Sequence, residues 1–274
     1  MLGYYIRLSL RSLARTPGLT ALMVGAIGLG IAACIVTLTV YHAMSGNPIW
    51  WKNDVLYAVT MDSRGALKPG NASDPRSAPD QLSYRDATYL YGSDIPRRKA
   101  IMATVAGWLS GVPGQSGPAL VRVRATSAGF FRMFDVPFEY GGPWSAPGDR
   151  GPEPVIVLSQ HENAKLFDGT DSVGRSLTFD NRSFRIVGVL KSWNPQPRYY
   201  DMTVSSFARP DAAHVPFAWD EQMHLLPNGH MSCYGPNSPS TYRQLLGSDC
   251  VWVLLWVELP GAARRERFRA FMDA

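Results

Sequence analysis

The sequence predicts an α+β protein, with one N-terminal transmembrane helix followed by a domain of mixed sheets and short helices. Three observations predict it. From Leu19 to Tyr41 the chain carries no Asp, Glu, Lys or Arg, and at about 1.5 Å per helical residue such a run crosses a bilayer core of about 30 Å. The remainder, from about Ser45 to Ala274, is long and rich in aliphatic and aromatic residues, enough to bury a core. Within it strand-like alternation and helix-like spacing succeed one another, strand–helix–strand and again strand–helix–strand, the order of α+β layers.

The leader before the span holds Arg7, Arg11 and Arg15 and no acid. A basic flank predicts a cytoplasmic N-terminus and a large domain outside. Ala43-Met44-Ser45 has the small-x-small form of a cleavage site. A signal peptide, however, has an apolar core of only about 7–15 residues, so a retained anchor is expected. The three arginines fall four residues apart, on one helical stripe. Either an interfacial helix over 1–16 lying against anionic headgroups or a bare topology signal explains them. Pro17-Gly18 marks the bend into a span expected over 17–44. Inside it Ala21, Gly25, Gly28 and Ala32 form one stripe, and Ala26, Gly30, Ala33 and Thr37 a second. Small residues so spaced let helices approach closely in lipid; chance in an Ala/Gly-rich span is the competing explanation. Cys34 reads as a small lipid- or helix-facing residue.

Beyond the span, Asp54–Asp62 alternates and reads as a strand. Arg64–Pro79 is a polar loop. Leu82–Tyr91 has helical spacing and ends before Gly92. Lys99–Leu109 is a strand and Ser110–Pro118 a turn. Ala119–Ala125 alternates strictly, which points Arg122 and Arg124 away from the core. Ser127 is expected to cap a short helix through Phe134. Val155–Leu158 is a strand; Ser159 and Glu162 form a capping box for a helix to Phe167. Asp168–Gly174 is a turn, and Ser176–Phe179 and Ser183–Val189 are strands joined by a tight corner at Asp180-Asn181-Arg182. After Lys191 the chain is irregular and rich in Pro, Asn and Gly. Val251–Glu258 is an apolar strand, Pro260-Gly261 breaks it, and Ala262–Met272 begins an amphipathic helix. Arg264, Arg265, Arg267 and Arg269 crowd that helix, as a solvated face or as a site for an acidic or lipid partner.

The formal net charge of +5 does not make this a nucleic-acid binder. Setting aside the three leader arginines leaves 24 basic against 22 acidic side chains, with no electrostatic footprint. No Gly-Lys pair occurs, so there is no phosphate-binding loop. Gly28-x-Gly30 lies within the span, where a dinucleotide cannot enter. No GxSxG or HExxH is present. Ser159, His161, Glu162, Asp168, Asp171 and Asp180 sit at a helix start and at turns, where structure accounts for them. No catalytic, metal-binding or cofactor-binding residue is therefore expected, and no cofactor. Cys233 and Cys250 flank a Gly/Pro/Asn/Ser-rich stretch outside the membrane and are expected to form a disulfide. A metal set of His224, His230, Cys233 and Cys250 fits none of the compact zinc spacings.

Four stretches resemble the MacB/FtsX-like ABC permeases: RLSLRSLARTPGLTALMVGAIGLGIAA, RATSAGFFRMFDVPFEYGGPW, PVIVLSQHENAKLFDGTDSVGRSLTFDNRSFRIVGVLKSW and AAHVPF. The first looks like the family's interfacial helix and first span, the rest like its periplasmic core. The resemblance implies a periplasmic core over 45–274 built of two α+β lobes, one inserted in the other over roughly 135–195. It implies three further spans beyond such a core, which would follow Ala274. It also implies a separate cytoplasmic ATPase, a second permease copy, a periplasmic adaptor as a further partner, and a bacterial inner-membrane location. The expected function is a non-ATPase permease subunit that couples ATP hydrolysis to periplasmic motion, in export or mechanotransmission. The rival is a single-pass, membrane-anchored periplasmic binding or scaffold protein. The Cys233–Cys250 segment has no counterpart in the pattern.

Overall fold

The computed structural model describes residues 4, 11, 15–45, 49–62, 79–110, 117–149, 151, 153–205, 207–234 and 238–273. The chain forms two compact units, residues 1–47 and 48–274. Most of the interfacial helix expected over 1–16 and of the loop expected over 64–79 lies outside the described residues.

The first unit is dominated by α1 (Pro17–Ser45), of which Pro17–His42 is long and apolar enough to cross a membrane. Its large apolar side chains, Leu22, Ile27, Leu29 and Val36 among them, are exposed rather than gathered in a core. Thr37 and Thr39 donate their hydroxyls to the carbonyls of Ala33 (2.9 Å) and Ile35 (2.7 Å). Neither of these threonines then presents an unpaired hydroxyl donor to hydrocarbon.

The second unit is a mixed sheet with short helices, hence α+β. After a 3₁₀ turn (Trp50–Lys52) come β1 (Leu56–Ala58), β2 (Leu82–Ser83), α2 (Tyr84–Tyr91), β3 (Arg98–Ser110), β4 (Ala119–Thr126), α3 (Gly129–Met133) and β5 (Phe138–Gly141). A second 3₁₀ turn (Ala146–Asp149) leads to β6 (Val155–Leu158), α4 (Gln160–Phe167), β7 (Ser176–Phe179) and β8 (Arg182–Leu190). β9 (Ala213–Pro216), α5 (Ala218–Met223), α6 (Tyr242–Leu246), β10 (Val251–Glu258) and α7 (Ala262–Met272) complete the unit.

The strands run in the order β1-β10-β3-β4-β9-β6-β8-β5, with β2 on β10. β7 pairs with both β8 and the end of β3, so β3, β4, β9, β6, β8 and β7 close a circuit. Gly107 permits that closure, because a Cβ there would collide with the Phe179 ring. The β7–β8 corner has Asp180 at φ 42° and Asn181 at φ 64°, the left-handed pair that suits a two-residue hairpin.

Alternation along β3 feeds two cores. Ile101, Ala103 and Val105 join Leu90 of α2 and Phe268 of α7 in one; Ala100 and Met102 join Phe130, Phe131 and Met133 of α3 in the other. A sheet covered on both faces explains why β10 (VWVLLWVE) reads as a continuous apolar run.

Several expectations are corrected. The first strand is three residues, not nine: residues 53–55 continue as turn from the 3₁₀ turn at Trp50–Lys52, and 59–62 have no regular structure. Leu82 and Ser83 pair with β10, and Ser83 then caps α2 by accepting from the amide of Asp86 (3.1 Å). α3 is capped at Ala128, whose amide donates to Asp149 Oδ1 (2.8 Å), so Ser127 is not its cap. The capping box at α4 is half formed. Ser159 Oγ accepts from the Glu162 amide, but the Ser159 amide bonds Ala212, and Glu162 pairs with Lys165. The irregular stretch after Lys191 contains β9, α5 and α6. Arg122 and Arg124 do point away from the first core, but the second core covers that face, and Arg124 is completely buried.

Cys233 and Cys250 are disulfide-bonded. The stretch that leads into Cys233 is stitched to the sheet by bridges between Pro227 and Val105 and between Ser232 and Val251. His224 stacks on Tyr242 and His230 bonds Ser232, so the four-residue metal set is not assembled. Among the described residues no group of three or more His, Cys, Asp or Glu converges on a metal position.

Candidate functional site

Three features stand out: the small-residue faces of α1, the junction that follows the span, and a row of buried charge across the sheet. On α1 the expected packing residues Ala21, Gly25, Ala26, Gly28, Gly30 and Ala33 are all exposed. A Cβ added at Gly25, Gly28 or Gly30 would meet nothing within 4 Å.

The junction begins at the 3₁₀ turn. Lys52 Nζ donates to Asp135 Oδ1 (2.7 Å) and to the carbonyls of Met133 (2.8 Å) and Arg132 (3.2 Å). Trp51 Nε1 donates to Asp135 Oδ2 (3.1 Å). An ammonium on the last carbonyls of a helix meets groups that lack intrahelical donors and the negative end of the dipole. The residues that follow the span are thus clasped to the C-terminal end of α3, and Asp149 holds its N-terminal end.

The charged row follows from register. Thr104 on β3 stands opposite Arg124 on β4, and Arg124 opposite His214 on β9. The 198–211 segment lowers two carboxylates onto the row. Arg124 donates through Nε to Asp211 Oδ2 (2.8 Å) and through Nη2 to Asp201 Oδ2 (2.7 Å). Asp211 Oδ1 also accepts from Arg122 Nε (2.8 Å) and Arg198 Nη1 (3.2 Å). Asp201 accepts further from the hydroxyls of Thr104 (3.0 Å) and Thr203 (2.6 Å). Arg122 and Arg198 both donate to the carbonyl of Arg209. The Tyr200 ring lies beneath Arg124 (5.1 Å) and Arg198 (5.6 Å), and Trp193 stacks on it at 4.9 Å.

Burial pushes the Asp211 carboxyl up, but the pull of Arg124 and Arg198 overrides it and holds the group well below the usual carboxylate range. Asp201 is lowered too: burial opposes, and Arg124 and the Thr203 hydroxyl prevail. His214 goes to about 3, through burial first and then repulsion from Arg124 and Arg198, against the pull of Asp211. Its imidazole is therefore neutral near pH 7. Chemically the row is a clamp, with three guanidiniums and two carboxylates pinning the 198–211 segment to β4. The sequence named Arg122 and Arg124 only as outward-facing, and it gave no sign of Asp201, Asp211 or Lys52. Two arginines in a strictly alternating strand, in register with a polar residue of an otherwise apolar one, were the available signal.

An apolar helix long enough to cross a membrane, followed by a mixed sheet covered on both faces with an internal ionic clamp, defines an α+β core domain behind an N-terminal apolar helix. Residues 20–266 match the MacB-like periplasmic core domain family, and the chain belongs to it. Among solved structures the chain is similar to the extracellular domain of the noncanonic ABC-type transporter YknZ from Gram-positive bacteria (12% identity, 78% of this chain and 87% of that one, TM-score 0.44). It is similar to the periplasmic region of MacB from Actinobacillus actinomycetemcomitans (13% identity, 81% and 86%, TM-score 0.47). It is also similar to a domain of a putative permease protein from Porphyromonas gingivalis (14% identity, 72% and 77%, TM-score 0.45). No curated protein matches.

Proposed function

We propose that the chain is a membrane-spanning, non-ATPase permease subunit of an ABC-type export or mechanotransmission complex, which transmits the work of a separate cytoplasmic ATPase to the periplasm. The N-terminus is cytoplasmic in this reading. Residues 17–44 span the inner membrane and 45–274 form the periplasmic core, with an inserted lobe over roughly 135–195. The small-residue faces of α1 pack against a second permease copy, and a periplasmic adaptor is a further partner. The observation that carries the mechanical part is the clasp: Lys52, seven residues after Ser45, is tied to Asp135 and to the end of α3. The clasp ties the first turn of the core to α3, so a pull delivered to that turn is passed on to α3. The rival reading, an anchored binding or scaffold protein, needs no such junction.

The test is an engineered crosslink between the two core domains of the reconstituted complex with its ATPase. The proposal expects transport or signalling output to fall while the chain alone hydrolyses no ATP. Full output from the locked complex overturns it in favour of the scaffold. A periplasm-active reporter fused after Asp62 checks the orientation; activity of a cytoplasmic reporter there refutes it.

A further inference from the structure

The turn by which the chain enters the core carries two uncovered indoles. Trp50 is 73% and Trp51 54% exposed, edge to face at 5.9 Å, while Ile49 before them is buried. Trp51 spends its N–H on Asp135, yet neither ring is taken into a core, and adjacent apolar surface left in this way marks an interaction site. Covalent geometry limits where it can lie. The 29 residues of α1 rise about 43 Å, the thickness of a bilayer with its headgroups. Five further residues cannot carry Trp50 more than about 18 Å from Ser45. Indoles, apolar in body and polar at one edge, concentrate at that level of a membrane.

A basic cleft lies beside the turn. It encloses about 500 Å³ between the start of β3 and α3, and Arg97, Arg98, Lys99 and Arg132 line it with no carboxylate. It belongs to the entry end of the sheet, because Arg98 stands opposite Glu258 and Glu258 opposite Leu56. The carbonyl of Arg132 accepts from Lys52 of the turn itself. Arg97 and Arg98 share the buried Glu258 at 3.4 and 2.7 Å, and Lys99 reaches the exposed Asp94 at 3.5 Å. Asp149 accepts from the Ala128 amide and the Trp144 indole. Arg132 is exposed and has no ion pair among the described residues. Four cations against these three carboxylates leave a positive balance, the complement of an anionic headgroup.

We infer that this face of the core docks on the anionic phospholipid surface of the bilayer that α1 crosses, with Trp50 and Trp51 at the headgroup level and the cleft around Arg132 taking a lipid phosphate. The inference rests on the reading of α1 as a retained span.

The test uses the full chain in phosphatidylcholine nanodiscs, with and without phosphatidylglycerol, in which the lipids are brominated next to the headgroup. None of the eight tryptophans lies in α1, so quenching of their fluorescence reports the core alone. Quenching is expected, and more of it with phosphatidylglycerol. Trp50→Ser should lose about half of it, since one of two interfacial indoles is gone. Trp108→Ser, about 33 Å along β3 from Arg98, should lose none. Arg132→Glu should abolish the phosphatidylglycerol effect and Arg132→Lys retain it. A chain that stays embedded but unquenched overturns the inference, as does undiminished quenching in Trp50→Ser or an undiminished phosphatidylglycerol effect in Arg132→Glu. Release of the chain from vesicles by alkaline carbonate instead removes the span reading, and the inference with it.

Discussion

Asp211→Asn tests the clamp most directly. The substitution keeps the shape of the side chain, so it opens no cavity. It removes the charge that faces Arg122, Arg124 and Arg198 at 2.8, 2.8 and 3.2 Å. It also turns one acceptor into an amide that points hydrogens at guanidiniums. Arg124 then keeps Asp201, while Arg122 and Arg198 lose the carboxylate they share. Removing one partner of a buried ion pair costs about 3–5 kcal/mol. A domain of this size shifts its midpoint by about 2–4 °C per kcal/mol, which predicts a fall of roughly 6–20 °C by circular dichroism at pH 7. The pH profile gives a second readout. Asp201 and Asp211 titrate lower in the folded than in the unfolded state. The unfolded chain therefore binds more protons below about pH 4, and stability present above that pH is lost as pH falls. The variant should have a shallower acid limb. A shift under about 2 °C with an unchanged acid limb would mean that the guanidiniums find water instead, and would refute the clamp.

Asp220 is buried and its carboxyl is pushed up to about 7, by burial first and by Glu221, against the hydrogen bond from Tyr242. Its contribution to stability is full below about pH 4 and lost as pH rises through 7, so Asp220→Asn should gain on the wild type between pH 5 and 8 by roughly 4 kcal/mol at most; parallel profiles refute this. Cys250→Ala should cost about 3 kcal/mol, the closure entropy of a 17-residue loop, and non-reduced digests should contain the linked peptides. Gly25→Ile or Gly30→Ile should reduce crosslinking between permease copies while leaving insertion intact; undiminished crosslinking favours a simple anchor. Lys52→Ala should lower transport or signalling output with little change in the core's midpoint, since the clasp is partly exposed; unchanged output removes the clasp from the mechanism.

What sequence reasoning could reach was whatever local chemistry decides. The span announces itself by the absence of charge over 26 residues. The β7–β8 corner is written in Asp180-Asn181, and the start of α4 in Ser159. What it missed depends on distant chain. Alternation in β4 says that Arg124 and Val123 face opposite ways, but not which face meets water. The answer lies in α3 and in a Pro-rich segment 77 and 87 residues further on, where Asp201 and Asp211 sit. A segment without regular period gives no hint that its carboxylates will be buried. The clasp has the same character, since Lys52 and Asp135 are 83 residues apart.

The clasp and the clamp are contiguous in the fold. Lys52 and Trp51 hold Asp135 and the end of α3; Phe130 and Phe134 of that region pack on Tyr200 at 5.6 and 5.7 Å, and Phe130 on His214 at 5.4 Å. Tyr200 in turn carries Arg124 and Arg198. Contact of this kind becomes coupling only where one element has two arrangements that both ends bias. α3 suits that part better than any strand. It is five residues long, too short to be stable by itself; Asp149 and Lys52 hold its ends, and Phe130, Phe131 and Met133 seat it in the second core. The strands around it are locked into a closed circuit and cannot shift singly. On the mechanical proposal, a pull at residue 52 is therefore taken up by α3 moving over its aromatic seat, with the ionic clamp keeping the sheet beneath it in register.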